Sequence, residues 1–240
     1  MEQQFMKRLS CGISDLDRRI QGGFPEGECI LITGEPGTGK TIFGIQFLYR
    51  MCKEGRKCMM VATEEVPEKI VLHAKELGFD LEPFIKNGQL SMIRYLELKA
   101  FDIQKDNDNI HTNIDDLNNL IHITEDNIEV FVLDNLGTFS IGTGLKQFKD
   151  KIDTLSYLLS KQKRTCLMMM DATAHELTHR IAEYSTYGTI RLMTKENPYT
   201  GKMERFMHIP KMRGTKISLE LINYDITENG IKLLLPKTNR

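Results

Sequence analysis

The stretch Glu28-Cys29-Ile30-Leu31-Ile32-Thr33-Gly34-Glu35-Pro36-Gly37-Thr38-Gly39-Lys40-Thr41 decides the fold. An apolar run from Glu28 to Ile32 ends at Gly34, and a helix is predicted from Lys40 to about Lys53, with Ile42, Ile45, Tyr49 and Cys52 on one face. Between them, Gly34 to Thr41 satisfies G-x-x-x-x-G-K-[ST] in the strand–loop–helix frame that the motif requires. Its glycines let backbone N–H groups converge on phosphate oxygens, and the helix N-terminus adds partial positive charge. Lys40 is placed to reach β- and γ-phosphates, and the Thr41 hydroxyl to coordinate Mg²⁺. The expected nucleotide-binding segment is therefore Gly34, Glu35, Pro36, Gly37, Thr38, Gly39, Lys40, Thr41 and, next along the helix, Ile42.

Outward from this segment, strand-like and helix-like stretches alternate. Cys58 to Ala62, Leu90 to Tyr95, Val130 to Asp134 and Thr165 to Met170 are apolar runs of strand length. Pro67 opens a helix carrying Ile70, Val71, Ala74 and Leu77, with Gly78 at its C-terminal cap. Leu145, Phe148, Ile152, Leu155 and Leu158 mark another helix. Phe101 to Asn113 reads as a polar loop, followed by a helix carrying Ile114, Leu117, Leu120 and Ile121. From Thr189 the pattern turns to short strands at Ile190–Met193, Arg205–Pro210 and Ser218–Asn223. Buried strands joined by helices imply a mostly parallel sheet covered on both faces. The expected architecture is one α/β domain over 1–240 with a β-rich C-terminal extension.

Composition bounds the function. The chain has 240 residues, 40% hydrophobic and 27% charged, with 32 Lys plus Arg against 33 Asp plus Glu. A net charge of -1 argues against a nucleic-acid coat protein or a polybasic membrane binder. The five cysteines form no C-x-x-C pair and read as reduced, buried thiols. Without an apolar leader or a run of about 18 apolar residues, a cytoplasmic protein without membrane association is expected.

A phosphate loop of this kind needs a second carboxylate near the metal, and Asp134 ends a buried strand where one belongs. Hydrolysis also needs a group that orients or deprotonates water. Glu64 and Glu65 follow the Cys58–Ala62 strand; taken alone, the pair reads better as a solvated loop.

The order of these motifs resembles the KaiC-like branch of the RecA superfamily over nearly the full chain. Gly12-Ile13-x-x-Leu16-Asp17 and Gly22-Gly23-Phe24-Pro25-x-Gly27 are similar to that family's opening, and Thr63-Glu64-Glu65-Val66-Pro67 to its paired glutamates before proline. Lys211-Met212-Arg213-Gly214-Thr215 matches its K-x-R-G segment, and Ile226-Thr227-Glu228 begins 15 residues after Lys211. The resemblance implies a RecA-type ATPase binding ATP or ADP with Mg²⁺ between subunits of a homo-oligomeric ring, commonly a hexamer. It implies Glu64 or Glu65 as the catalytic carboxylate and Lys211 and Arg213 reaching in trans to the γ-phosphate. Ile226, Thr227 and Glu228 are then expected near the adenine of a neighbour's nucleotide, and a regulatory protein partner is in keeping with the family. Two departures stand out. Ile217 replaces a histidine common after K-x-R-G, and Met169-Met170-Asp171 stands where related ATPases carry a γ-phosphate-sensing glutamine, so slow turnover is expected.

Two constellations compete. His175-Glu176-Leu177-Thr178-His179 is a literal H-E-x-x-H, the pattern of a zinc hydrolase, but its downstream context lacks further ligands, and a solvated helix face is the simpler expectation. Basic runs at Arg56-Lys57, Lys161–Arg164 and Lys211–Lys216 are the basis for the alternative, a recombination-accessory ATPase binding single-stranded DNA; the neutral net charge disfavours it.

Overall fold

The computed structural model describes residues 6–96, 117, 120, 126–171 and 175–234. The elements, in chain order, are β1 (Arg8–Leu9), α1 (Ser14–Arg19), β2 (Phe24–Pro25), β3 (Cys29–Gly34), α2 (Lys40–Lys53), β4 (Cys58–Ala62), α3 (Pro67–Glu76), α4 (Glu82–Lys86) and β5 (Leu90–Arg94). They continue with β6 (Val130–Asp134), a 3-10 turn (Leu136–Ser140), α5 (Leu145–Lys161), β7 (Thr165–Asp171), α6 (Glu176–Ser185), β8 (Gly188–Glu196), β9 (Met203–Met212), β10 (Ile222–Thr227) and β11 (Gly230–Leu233). The polar loop expected over Phe101–Asn113 lies outside the described residues. So does most of the helix expected after it, although Leu117 and Leu120 are both buried.

Nine strands form one sheet in the order β11-β10-β9-β8-β3-β7-β6-β4-β5. Every pairing from β8 to β5 is parallel, and β9, β10 and β11 continue antiparallel. Period-two alternation explains the layering, because successive strand residues face opposite sides. Ile30, Ile32, Met60, Val132, Leu167 and Met169 pack on one face with Phe43, Phe47 and Met51 of α2. Leu31, Met59, Val61, Phe131, Leu133 and Met168 pack on the other with Phe148, Ile152, Leu155 and Leu159 of α5. Each fully buried side chain of this kind contributes roughly 1.5–3 kcal/mol. All five cysteines are free and buried in these layers.

The C-terminal part corrects the sequence expectation. β8 and β9 are a long hairpin, nine and ten residues, and β8 pairs parallel to β3 at the centre of the sheet. No strand forms over Ser218–Leu221; the strand is Ile222–Thr227, which turns back through Glu228-Asn229 into β11. Ile217, at the family's histidine position, packs against the first core.

The N-terminal motif is structural. Phe24 of β2 sits against Phe43 and Phe47 of α2, with ring centroids 6.1 and 5.6 Å away. The Arg8 guanidinium donates to the carbonyls of Ile20 and Gly23 and to the Thr215 hydroxyl at 3.1, 3.0 and 2.9 Å. This sews the opening hairpin to the segment that follows β9. Among the described residues, no helix is long and apolar enough to cross a membrane.

Candidate functional site

Parallel register gathers the site at the C-terminal edge of the strands, where open α/β sheets bind ligands. Gly34 is level with Asp171 of β7, and Asp134 of β6 is level with Ala62 of β4. The loop after β3 and the carboxylates ending β6 and β7 are thereby brought together. Glu64 lies just past the end of β4.

The loop itself demands glycine at two places. A side chain on Gly34 would stand 2.4 Å from the Leu192 carbonyl oxygen of β8. Gly39, at φ +97°, is the N-cap of α2, and a side chain there would meet Ile226 at 2.8 Å. Thr38 is buried, its hydroxyl donating to the Glu35 carbonyl at 2.7 Å, and its own carbonyl accepts from the Tyr224 hydroxyl at 2.6 Å. β10 thus clamps the loop from the C-terminal half of the chain. Glu35, Pro36 and Gly37 form the exposed rim, and Ile42 is half-buried against the first core.

Lys40 is buried and folded back. Its ammonium donates to the Gly34 and Glu35 carbonyls, both at 3.0 Å, and pairs with Asp171 Oδ1 at 2.5 Å. The Thr41 hydroxyl donates to Asp134 Oδ2 at 2.7 Å. Asn135, buried beside them, donates through Nδ2 to Asp171 Oδ2 at 2.8 Å and to Glu64 Oε1 at 3.1 Å. Its backbone is fixed in turn, with Asn135 N–H donating to the Thr63 hydroxyl at 2.8 Å and Thr63 N–H to the Asp134 carbonyl at 2.6 Å.

Three carboxylates, Glu64, Asp134 and Asp171, therefore gather at one crevice, where Lys40 pairs with Asp171. Asp134 keeps a strip of surface open to the crevice but is otherwise surrounded by protein. Burial pushes its carboxyl up to about 6; Glu64 and Asp171 add to the rise, while the Thr41 hydroxyl and Lys40 oppose it. An all-oxygen donor pair, Thr41 and Asp134, in a site short of positive charge fits Mg²⁺, which takes few protein ligands and fills its shell with water and phosphate oxygens.

The two glutamates separate. Glu64 faces the crevice through Asn135, whereas Glu65 turns to α3, 3.4 Å from the His73 ring. Lys211 and Arg213 are not brought to the loop of their own chain. Met212 pairs with Gly188, which is level with Ile30 at the start of the Ile30–Gly34 run. They sit at the C-terminus of α6, where Lys211 Nζ donates to the Glu183 carbonyl and, at 3.2 Å, to that of Tyr184; Arg213 donates to the latter at 3.3 Å. Ile226, expected beside a neighbour's nucleotide, lies against Gly39 of its own loop. Thr227 donates to the Gly230 carbonyl at 3.1 Å to close the hairpin, and Glu228 is exposed in its turn.

The H-E-x-x-H residues do not form a ligand pair. His175 is the N-cap of α6 and its Nδ1 accepts from the Leu177 N–H at 3.3 Å. His179 is no solvated face residue either. Its Nε2 lies 2.6 Å from the Asp171 carbonyl, which only accepts, so Nε2 carries the proton; Nδ1 lies 3.2 Å from the Thr33 hydroxyl. Sequence reasoning missed Asn135, Tyr224 and His179 as parts of the site's frame. Asn135 follows Asp134 directly, and that adjacency was the available signal.

A parallel sheet carrying a strand–phosphate-loop–helix unit, with carboxylates ending the neighbouring strands, defines a P-loop nucleotide-binding protein of RecA type. The family model described as "ATPase: KaiC" matches residues 9–238, and the chain belongs to that family. A UPF0273 protein of Thermotoga maritima is 29% identical, covering 94% of this chain and 95% of that protein. The UPF0273 protein MJ1359 of Methanocaldococcus jannaschii is also 29% identical over 94% and 96% of the two chains. The crystal structure of the KaiC-like protein PH0186 from Pyrococcus horikoshii superposes with a TM-score of 0.78 at 26% identity, covering 96% of this chain and all of that one.

Proposed function

We propose that this chain binds ATP with Mg²⁺ at Gly34–Thr41 and hydrolyses it slowly, as one cytoplasmic domain that completes its site within a homo-oligomeric ring. The observation that carries the proposal is the convergence of Lys40, Thr41, Asp134 and Glu64 on one crevice beneath the loop.

In this mechanism the loop N–H groups and the α2 N-terminus hold the phosphates, and Lys40 moves its charge onto the β- and γ-phosphate oxygens. Thr41 and Asp134 would hold Mg²⁺, which when bound would offset phosphate charge. Glu64 orients the attacking water and accepts its proton; Glu65, turned to α3, has no such position. Ile226, beside Gly39, offers an apolar wall next to the nucleotide of its own subunit. Lys211 and Arg213 act on the γ-phosphate of an adjoining subunit, where rigid positive charge stabilises the transferring phosphoryl group. Nucleotide state then governs assembly, or the binding of a regulatory protein partner.

Calorimetry and phosphate release test this reading. Lys40→Ala is expected to abolish ATP binding, and Arg213→Ala to retain binding while slowing phosphate release. Unaltered binding in Lys40→Ala would show that the nucleotide sits elsewhere.

A further inference from the structure

The arrangement around Lys40 holds more than a phosphate loop requires. The cation that must meet the nucleotide is already paired with Asp171, 2.5 Å away. The second oxygen of that carboxylate accepts from Asn135 at 2.8 Å, and the same Asn135 amide nitrogen donates to Glu64 at 3.1 Å. Asp171 is itself fixed from behind, since its backbone carbonyl accepts from His179 Nε2 at 2.6 Å. The chain Lys40–Asp171–Asn135–Glu64 thus runs without a break from the phosphate-loop lysine to the carboxylate assigned above to orient water.

We propose that Asp171 is a resident competitor for Lys40, a phosphate stand-in whose displacement by nucleotide is relayed through Asn135 to position Glu64. The proposal rests on the ATP-binding reading above. An ammonium satisfied by a carboxylate and two carbonyls has no reason to leave them until a more highly charged anion arrives. When Lys40 turns to the β- and γ-phosphates, Asp171 loses its countercharge and draws more strongly on its remaining donor, the Asn135 amide. That group has two N–H bonds to distribute, so the hold on Glu64 changes as Asp171 takes its share. No proton or covalent bond is exchanged; one ion pair replaces another. Asp171 and Asn135 are positioning residues. The sensor is acidic, so it senses by being displaced instead of by touching phosphate.

Replacing the charge with an isosteric amide separates this role from a structural one. Asp171→Asn keeps an oxygen for Asn135 but removes the competitor for Lys40, so it is expected to tighten nucleotide binding about tenfold, as loss of a close opposing charge implies. Structural damage works in the other direction, toward weaker binding. The experiment titrates wild-type, Asp171→Asn, Asp171→Ala and Lys40→Ala proteins with ADP and with a non-hydrolysable ATP analogue, in the presence of Mg²⁺, by calorimetry. Tighter binding in both Asp171 variants supports the proposal, with the larger gain for the ATP analogue. Unchanged or weaker binding in the variants, while wild type binds and Lys40→Ala does not, overturns the competitor and leaves the nucleotide site standing. Failure of wild type to bind either nucleotide removes both. A measurement on wild type alone covers the case of variants that do not fold: the Asn135 side-chain amide resonance is expected to shift when ADP binds, and a resonance that stays in place contradicts the relay.

Discussion

At the residue scale, the divergence of Glu64 and Glu65 makes the sharpest distinction. Two adjacent carboxylates in sequence become one that faces the crevice through Asn135 and one that faces His73. Glu64→Gln is expected to lower phosphate release about 10²–10⁴-fold with binding retained, the usual contribution of a positioned general base, and Glu65→Gln to change it less than threefold. Single-turnover phosphate release on both variants decides; equal losses would return the assignment to the pair. Lys211 supplies a pH prediction. Burial, reinforced by Arg213 and opposed by Glu183, lowers its ammonium from the ordinary lysine range to about 8. The folded protein therefore holds this proton less tightly than the unfolded chain does. The contribution of Lys211 to stability is present above the ordinary lysine range and is lost as pH falls through about 8. Carbon-13 shifts of the lysine ε-methylenes are expected to give one midpoint near 8, absent in Lys211→Met; a midpoint near the other lysines would contradict the described environment. The phosphate loop was legible because its whole signal lies within eight consecutive residues. The partnership of Asp171 with Lys40 was not, because it arises from the register of β3 against β7, and pairing between distant strands leaves no local mark.

At the scale of elements, the β10–β11 hairpin is what the sequence reading placed least well. The strand expected over Ser218–Asn223 began four residues too early. Leu219 and Leu221 are exposed, while Ile222, Tyr224, Ile231 and Leu233 are buried. Gly230, at φ +81°, closes the Glu228-Asn229 turn opposite Thr227, and a glycine in this left-handed position was the local signal for the hairpin. The hairpin matters because it supports the loop, through Tyr224 on Thr38 and through Gln46 of α2. Gln46 Nε2 donates to the Gly12 carbonyl at 3.0 Å, and its Oε1 accepts from the buried Ile231 N–H at 2.9 Å. Gln46→Leu leaves that N–H and the Gly12 carbonyl without these partners. Urea unfolding is expected to register a loss of about 2–3 kcal/mol with an unchanged slope. A change under about 0.5 kcal/mol would mean the three segments are held together by packing alone.

At the scale of the whole molecule, the parallel sheet with helices on both faces was readable from alternation of strand and helix patterns. The addition of β9, β10 and β11 to the same sheet was not, since nothing local distinguishes a strand that extends a sheet from one that begins another. That addition sets the long-range geometry of the proposed mechanism. Lys211 is level with Leu31 and Met212 with Ile30, so the backbone of Lys211 and Arg213 lies about 10 Å or more from the level of Gly34 along the strand direction. In the proposed mechanism they act on a phosphate held by another copy. The most direct measurement is the mass of the wild-type protein in solution, with and without Mg-ATP, taken alongside phosphate release from the same samples. A multi-subunit species in ATP, with phosphate released at a rate per chain that rises with protein concentration, is the predicted result. A monomer in both conditions, releasing phosphate at a rate per chain independent of concentration, would contradict a site completed between subunits.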